Sequence, residues 1–91
     1  MKYMIKLNKN IKELDSKIEI LKVLQDAYET LRKDNKINED MFFEQTATID
    51  DILTDCKEDA VTDEDFAFRA NEAVKEFYEI CEKYDLDIEN P

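Results

Sequence analysis

The chain has 91 residues, a formal net charge of −11, and a composition of 43% hydrophobic and 41% charged residues. This length supports one domain, spanning residues 1–91, with a modest core and is too short for two domains. Glycine is absent and the only proline is Pro91. Because glycine is the usual residue where a tight turn needs a positive φ, its absence disfavours hairpin-rich β folds. We therefore expect an all-α domain with short Asn/Asp turns.

Missing residue types also exclude much chemistry. The chain has no histidine, which removes the commonest general base and the commonest zinc ligand. Without glycine it cannot build a phosphate-cradling loop, and its only serine, Ser16, has no histidine to activate it. No string of acids has the spacing and central glycine of an EF-hand loop. We expect no enzymatic activity, no catalytic residue, no cofactor and no metal site.

The hydropathy pattern gives an expectation about location. No apolar run approaches the length of a membrane span, and the opening residues MKYMIKLNKN lack the apolar stretch of a signal peptide. We expect a cytoplasmic protein that does not bind membranes. Cys56 and Cys81 should then be reduced, and their positions on apolar stripes indicate buried core residues rather than reactive thiols.

Residues 1–9 are interpreted as an extended arm, with residues 2–7 forming either a short strand or an early turn of helix. A single strand is not stable by itself. In an up-down-up bundle the two ends of the chain lie far apart, so a strand here should pair with another molecule and not with Leu86–Ile88.

The first helix is predicted at 11–33, with Asn10 as its N-cap and Glu13 as the reciprocal acidic residue. Apolar residues follow a 4-3-4-3 spacing that places them on one stripe: Leu7, Ile11, Leu14, Ile18 and Leu21. Farther along, the apolar arc widens to Ile20, Leu21, Val23, Leu24, Ala27, Tyr28 and Leu31. This arc is more than two helices of this length should cover, so it predicts a homodimer.

Two further helices are predicted at 39–58 and 63–84, followed by a tail at 85–91. Asn38 and Thr62 are the expected N-caps, each preceded by an apolar residue that forms a hydrophobic staple. Asn35 is the expected positive-φ residue after the first helix. Three helices with short connections predict a small antiparallel three-helix bundle.

Charge is divided unevenly along the chain. Residues 1–36 contain nine Lys/Arg and six Asp/Glu, a net of +3, whereas residues 37–91 contain four and eighteen, a net of −14. An acidic cluster is the densest part of the second region: Asp50, Asp51, Asp55, Glu58, Asp59, Asp63, Glu64 and Asp65. Such a surface attracts basic partners and repels nucleic acid and anionic membranes, so we expect no direct nucleic-acid binding.

A charge run is most often a solvated face that keeps a protein in solution. Here Asp55, Glu58 and Asp59 stand at the C-terminal end of the second helix, where the helix dipole disfavours negative charge by about 0.3–1 kcal/mol each. Only Lys57 is available locally to relieve the repulsion. Carboxylates retained at such a cost favour a partner-binding role for the cluster.

Two phenylalanines could add apolar contacts to this surface. Met41, Phe42 and Phe43 are consecutive and cannot all face one core, and Phe68 shares its helix face with Glu72 and Lys75. A single exposed phenylalanine is commonplace, but exposed aromatic residues beside charges are also typical of interface hot spots. We therefore include Phe43 and Phe68 among the candidate partner-binding residues.

Two hypotheses follow from the sequence. In the first, the chain is an inhibitor or regulator that binds a basic, nucleic-acid-binding protein surface through its acidic cluster. In charge, size and helicity it resembles the small acidic helical nucleic-acid mimics of phages and mobile elements, although it shares no motif with them. In the second, the chain is a self-assembling helical scaffold protein, and its acidic face only keeps it in solution.

Overall fold

The computed structural model describes residues 2–91, which are mostly helical and include one short pair of strands. The chain begins with strand β1 (Tyr3–Lys6) and a short 3-10 helix (Ile11–Glu13). Helices α1 (Lys17–Lys33), α2 (Glu39–Lys57) and α3 (Asp63–Lys83) follow. Strand β2 (Leu86–Glu89) lies after α3.

The starts of α2 and α3 follow the predicted caps. The Asn38 side chain accepts a hydrogen bond from the Met41 backbone N–H at 2.8 Å, and Thr62 accepts one from Asp65 at 3.1 Å. Each bond satisfies one backbone donor that the first helical turn leaves unpaired. The local sequence therefore defines where these two helices begin.

All three helices end at a residue with a left-handed backbone. Asn35, Asp59 and Asp85 have φ values of 58°, 57° and 58°, which confirms the prediction for Asn35. After α1 and α2 the helix is closed by a backbone bond from Lys36 N–H to the Leu31 carbonyl and from Ala60 N–H to the Asp55 carbonyl, each at 2.8 Å. These are Schellman-type ends in which Asn and Asp replace glycine.

The predicted first helix, 11–33, is wrong in its first part. Asn10 caps only the 3-10 turn, and the backbone is extended at Leu14 (φ −91°, ψ 129°) and at Ser16 (φ −80°, ψ 118°). Ser16 then accepts a hydrogen bond from the Glu19 backbone N–H and starts α1. Short polar side chains such as Asp15 and Ser16 compete with helical backbone bonding, which breaks the apparent stripe. As a result, Ile18 is 40% exposed.

The expectation that a strand in the arm would pair with another molecule is also wrong. Strands β1 and β2 of the same chain pair in parallel, with Tyr3 opposite Leu86 and Ile5 opposite Ile88. The Leu7 backbone N–H extends the pairing by donating to the Glu89 carbonyl at 3.1 Å.

The path of residues 7–16 explains this pairing. Asn8 donates a hydrogen bond to Asp26 at 2.9 Å, and Lys9 lies 3.7 Å from the Glu19 carboxylate, so this segment runs back along α1. The Tyr3 hydroxyl donates to Asp34 at the far end of the helix. Residues 3–9 therefore accompany α1 from Asp34 back to Glu19, and β1 lies where the strand that follows α3 can pair with it.

Side-chain contacts connect α1 to both of the other helices. Arg32 of α1 lies over the Phe42 ring of α2, while Gln25 contacts Asp50, so residue numbers fall in α1 as they rise in α2. The Tyr28 and Phe77 rings meet edge to face at 5.5 Å, which connects α1 to α3. No helix within residues 2–91 is long and apolar enough to cross a membrane.

The core is built around α1. The whole apolar arc of this helix is buried: Ile20, Leu21, Val23, Leu24, Ala27, Tyr28 and Leu31. Besides α2 and α3, the return segment and strand contribute Ile5, Leu7 and Ile11 to the same cluster. The argument for a homodimer assumed that two helices alone had to cover the arc, and the N-terminal segment removes that basis. Cys81 is buried as expected, whereas Cys56 is half-buried.

Candidate functional site: an acidic groove between two helices

The acidic cluster occupies one end of the molecule, where α2 ends and α3 begins. Asp50, Asp51 and Asp55 lie on the last turns of α2, Glu58 is its C-cap, and Asp59 is the positive-φ residue after it. Asp63, Glu64 and Asp65 form the first turn of α3, where the helix dipole favours negative charge. All of these side chains are exposed except Asp55, which is half-buried.

Two members of the cluster have a partner from another helix. Arg69 of α3 donates to the Asp55 carboxylate at 2.7 Å, and Gln25 of α1 donates to Asp50 at 2.5 Å. The sequence argument had considered only cations on the same helix and therefore overstated the repulsion at Asp55. Within residues 2–91, the Asp55–Arg69 contact is the one ion pair that involves the cluster.

The basic residues of the arm, by contrast, face carboxylates of their own chain. Lys2 lies 3.1 Å from Asp85 and 3.6 Å from Asp87, and Lys6 lies 3.9 Å from Glu89. The contact with Asp85 raises the pKa of Lys2 and keeps it charged. The arm is thus largely neutralised where it lies, and the negative charge of the cluster remains on the surface.

A groove between α2 and α3 extends from this end of the molecule. It encloses a volume of about 330 Å³ and is lined by Glu44, Gln45, Thr48, Ile52, Phe68, Arg69, Glu72, Ala73 and Glu76. Ile52 is 2% exposed and Ala73 is half-buried, so the floor of the groove is apolar. Carboxylates stand on both walls, with Glu44 on α2 and Glu72 and Glu76 on α3. We call this feature the acidic groove.

Arg69 connects the acidic groove to the acidic cluster. Its guanidinium lines the groove while bonding to Asp55, which belongs to the cluster. At the other end, Gln45 of α2 donates a hydrogen bond to Glu76 of α3 at 3.4 Å. The groove and the cluster therefore form one continuous acidic surface.

The two candidate phenylalanines lie in different places. Both are exposed, Phe43 by 61% and Phe68 by 65%. Phe68 lines the acidic groove. Phe43 instead contacts Phe42, whose ring lies under Arg32 of α1, and it precedes Asp50 by about 10 Å along the helix axis. The structure thus places Phe68 in the lining of the acidic groove and leaves Phe43 outside that lining.

Sequence reasoning missed the carboxylates of the groove. Glu44 lies outside the dense run, but its spacing to Asp51, Asp55 and Glu58 places all four on one face of α2. Glu72 and Glu76 are four residues apart and share a face of α3 in the same way. Helical spacing could have found both stripes, but only the packing of α2 against α3 shows that they line one groove.

The groups with the largest pKa shifts and the acidic surface lie in different parts of the molecule. Within residues 2–91 no group of three or more His, Cys, Asp or Glu side chains is arranged to hold a metal ion. The strongly shifted groups lie elsewhere: burial raises the pKa of the Cys81 thiol to about 11, and the hydrogen bond to Asp34 raises the pKa of Tyr3 to about 12. The acidic surface offers carboxylates and an exposed phenylalanine, which are groups for electrostatic and apolar contact.

No family model matches the sequence, and neither a curated protein nor a solved structure is detectably similar to it. The chemistry of the acidic surface is thus the basis on which a function can be inferred.

Proposed function

We propose that this protein is an inhibitor or regulator, of the kind encoded by phages and mobile elements, that binds the nucleic-acid-binding surface of a basic protein. The observation that carries the proposal is the continuous acidic surface formed by the cluster and the groove, which the chain's own cations leave almost unpaired. A basic protein surface that has evolved to hold phosphates would be attracted to it.

The spacing of the carboxylates supports this mode of binding. Along one face of α2, Glu44, Asp51, Asp55 and Glu58 follow one another at about 5–10 Å, given the rise of 1.5 Å per residue. Duplex DNA presents one phosphate per strand every ~3.4 Å of its helix axis, which is closer than the spacing of these carboxylates. Lysine and arginine side chains are long and flexible enough to bridge this difference and to reach successive carboxylates on such a helix.

A scaffold for these charges is the second part of the proposal. We infer that the three helices form an antiparallel bundle, with the paired strands closing one end. Packing of α1 within this scaffold would hold α2 and α3 in fixed register, so the carboxylates would be presented without a large entropy cost on binding.

The test compares the protein with a variant in which the acidic cluster is reversed or neutralised at Asp50, Asp51, Asp55, Glu58 and Asp59. Both proteins are immobilised and used to retain binding proteins from the source cell at low and high salt. We expect nucleic-acid-binding proteins to be retained by the unchanged protein at low salt and released at high salt, because Coulomb attraction at the surface is screened. The variant should retain none of them, and its thermal unfolding temperature should hold, because relief of like-charge repulsion offsets the loss of the Asp55–Arg69 and Asp50–Gln25 contacts.

A variant changed at acids outside the cluster provides the control. Changing exposed acids of the N-terminal half, such as Glu13 and Asp15, should leave retention intact. Equal retention by the cluster variant and the unchanged protein would contradict the proposal. A loss of stability in the cluster variant would count against the idea that its carboxylates repel one another at a cost to folding.

A self-assembling scaffold protein, the homodimer included, is the alternative. It would have to use a surface other than the α1 arc, which the chain covers itself. Sedimentation at high micromolar concentration separates the two, because apolar self-association persists at high salt whereas charge-driven partner binding does not.

A further inference from the structure

The acidic groove combines an apolar floor with acidic rims. Its floor is apolar, formed by Ile52 and Ala73, and Phe68 stands at its side with 65% of its surface exposed. Its rims are acidic on both sides. An exposed aromatic ring next to an apolar floor contributes binding energy only when something apolar covers it.

We propose that the acidic groove binds a basic amphipathic α-helix of the partner protein, with one apolar side of that helix against Phe68, Ile52 and Ala73. This inference rests on the proposed function and specifies the element of the partner that docks. Lysine and arginine residues that flank the apolar side of the docked helix would reach Glu44 on one rim and Glu72 and Glu76 on the other.

Charge complementarity selects a basic occupant over other apolar ones. Of the residues that line the groove, Arg69 carries the positive charge, and it already bonds to Asp55 at 2.7 Å. Three lining carboxylates face it: Glu44, Glu72 and Glu76. An acidic or neutral helix would desolvate these carboxylates without compensation, whereas a basic helix pairs with them.

The geometry of the walls favours a helix over an extended peptide. The groove is formed by two helices, whose backbone N–H and C=O groups are bonded within the helix, so it presents no strand edge for β-addition. Glu72 and Glu76 are four residues apart, about 6 Å along α3. Basic residues four apart on a docked helix have the same spacing and can pair with both glutamates at once.

The experiment uses the full chain, labelled with ¹⁵N, and a synthetic peptide of about four helical turns with leucines on one face and lysines on the others. A second peptide has the same composition in an order that removes the apolar face. We expect the first peptide to shift the amide signals of Phe68, Glu72, Ala73 and Glu76 and to gain helical circular dichroism on binding. The second peptide should bind about tenfold more weakly, since it retains charge but loses the apolar contact.

Two matched variants locate the contact. Phe68→Ala should weaken binding of the first peptide about tenfold, whereas Phe43→Ala, the same change at an equally exposed phenylalanine outside the groove, should leave it unchanged. Because both rings are exposed, neither change should alter folding, and thermal melts check this.

The outcomes separate this inference from the proposed function. Equal binding of the two peptides, signal shifts that avoid the groove, or equal affinity of Phe68→Ala and the unchanged protein would each overturn the helix-binding inference while leaving the charge-driven function intact. Failure of both peptides to bind would also overturn it. Failure of the proposed function would be seen separately, in equal retention of partners by the cluster variant.

Discussion

Arg69 contacts the acidic cluster and lines the acidic groove at the same time. Its guanidinium bonds to Asp55 at 2.7 Å, with 34% and 41% of the two side chains exposed. An ion pair this open to solvent contributes on the order of 0.5 kcal/mol, because water and salt screen it. The same contact occupies a carboxylate of the acidic cluster and places a positive charge in the acidic groove.

Replacing Arg69 by Ala should therefore strengthen binding while hardly changing stability. The variant releases Asp55 and removes the repulsion that Arg69 exerts on an incoming basic residue, so affinity for the amphipathic lysine peptide should rise severalfold at low salt. Titration and a thermal melt measure the two effects. Lys75→Ala, which removes an exposed positive charge that does not line the groove, is the control. Weaker binding by Arg69→Ala than by the control would contradict this interpretation.

Burial of Cys81 should make the folded protein less stable at alkaline pH. Burial raises the pKa of this thiol from an ordinary value of 9.0 to about 11. Below about pH 9 the thiol is neutral in both the folded and the unfolded chain, and stability is unaffected. Above it, the unfolded chain releases the proton while the folded chain retains it, so the free energy of unfolding falls as pH rises toward 11.

Cys81→Ser removes this titration and should reduce the fall between pH 9 and pH 11 by about 2 kcal/mol. Tyr28 and Tyr78 remain in the variant, and their pKa values are raised by burial as well, so part of the fall should persist. Urea unfolding at a series of pH values measures how far the free energy of unfolding falls in each protein. Identical pH profiles for the two proteins would show that the thiol is accessible to water in the folded state.

Among the secondary-structure elements, the paired strands explain how a small helical protein covers an unusually apolar helix. Ile5 of β1 is completely buried and lies opposite Ile88, while its neighbour Met4 is 46% exposed. A two-stranded pair alone is only marginally stable in water. Its stability therefore has to come from packing of the inward side chains against α1 and α3.

The two neighbouring positions provide a direct test of this packing. Ile5→Ala should lower the free energy of unfolding by about 2–4 kcal/mol, because it leaves a cavity in the core. Met4→Ala, on the opposite face of the same strand, should change it by less than about 0.5 kcal/mol. Chemical denaturation measures both values. Similar small effects at the two positions would mean that β1 is not part of the core.

The same elements show which features could be predicted from the sequence. Asn38, Thr62 and Asn35 mark helix ends through contacts that span five residues or fewer, and those predictions are confirmed. The pairing of Tyr3 with Leu86 depends on contacts across almost the whole chain, which no local pattern encodes. The stripe from Leu7 to Leu21 misled for a related reason, because Leu7 and Ile11 are buried without being part of α1.

Over the whole molecule, charge is distributed unevenly on the surface. The basic arm is neutralised by the acids of β2 and the turn before it, whereas α2 and α3 carry most of the unpaired negative charge. The acidic cluster is visible in the sequence because its eight carboxylates fall within residues 50–65, whereas its role in binding stays a prediction. The sequence could not locate the acidic groove, because Glu44 and Glu72 come together only when α2 packs against α3. Phe43 and Phe68 are both exposed, and of the two Phe68 lines the acidic groove.

The most direct test of the account measures competition with nucleic acid. A protein retained at low salt in the capture experiment is bound to a fluorescent DNA or RNA, and fluorescence anisotropy follows release of the nucleic acid as the acidic protein is added. We predict that the unchanged protein displaces the nucleic acid and that the cluster variant, changed at Asp50, Asp51, Asp55, Glu58 and Asp59, does not. Simultaneous binding of both to the partner, or equal displacement by the cluster variant, would contradict the claim that the acidic surface occupies a nucleic-acid-binding site.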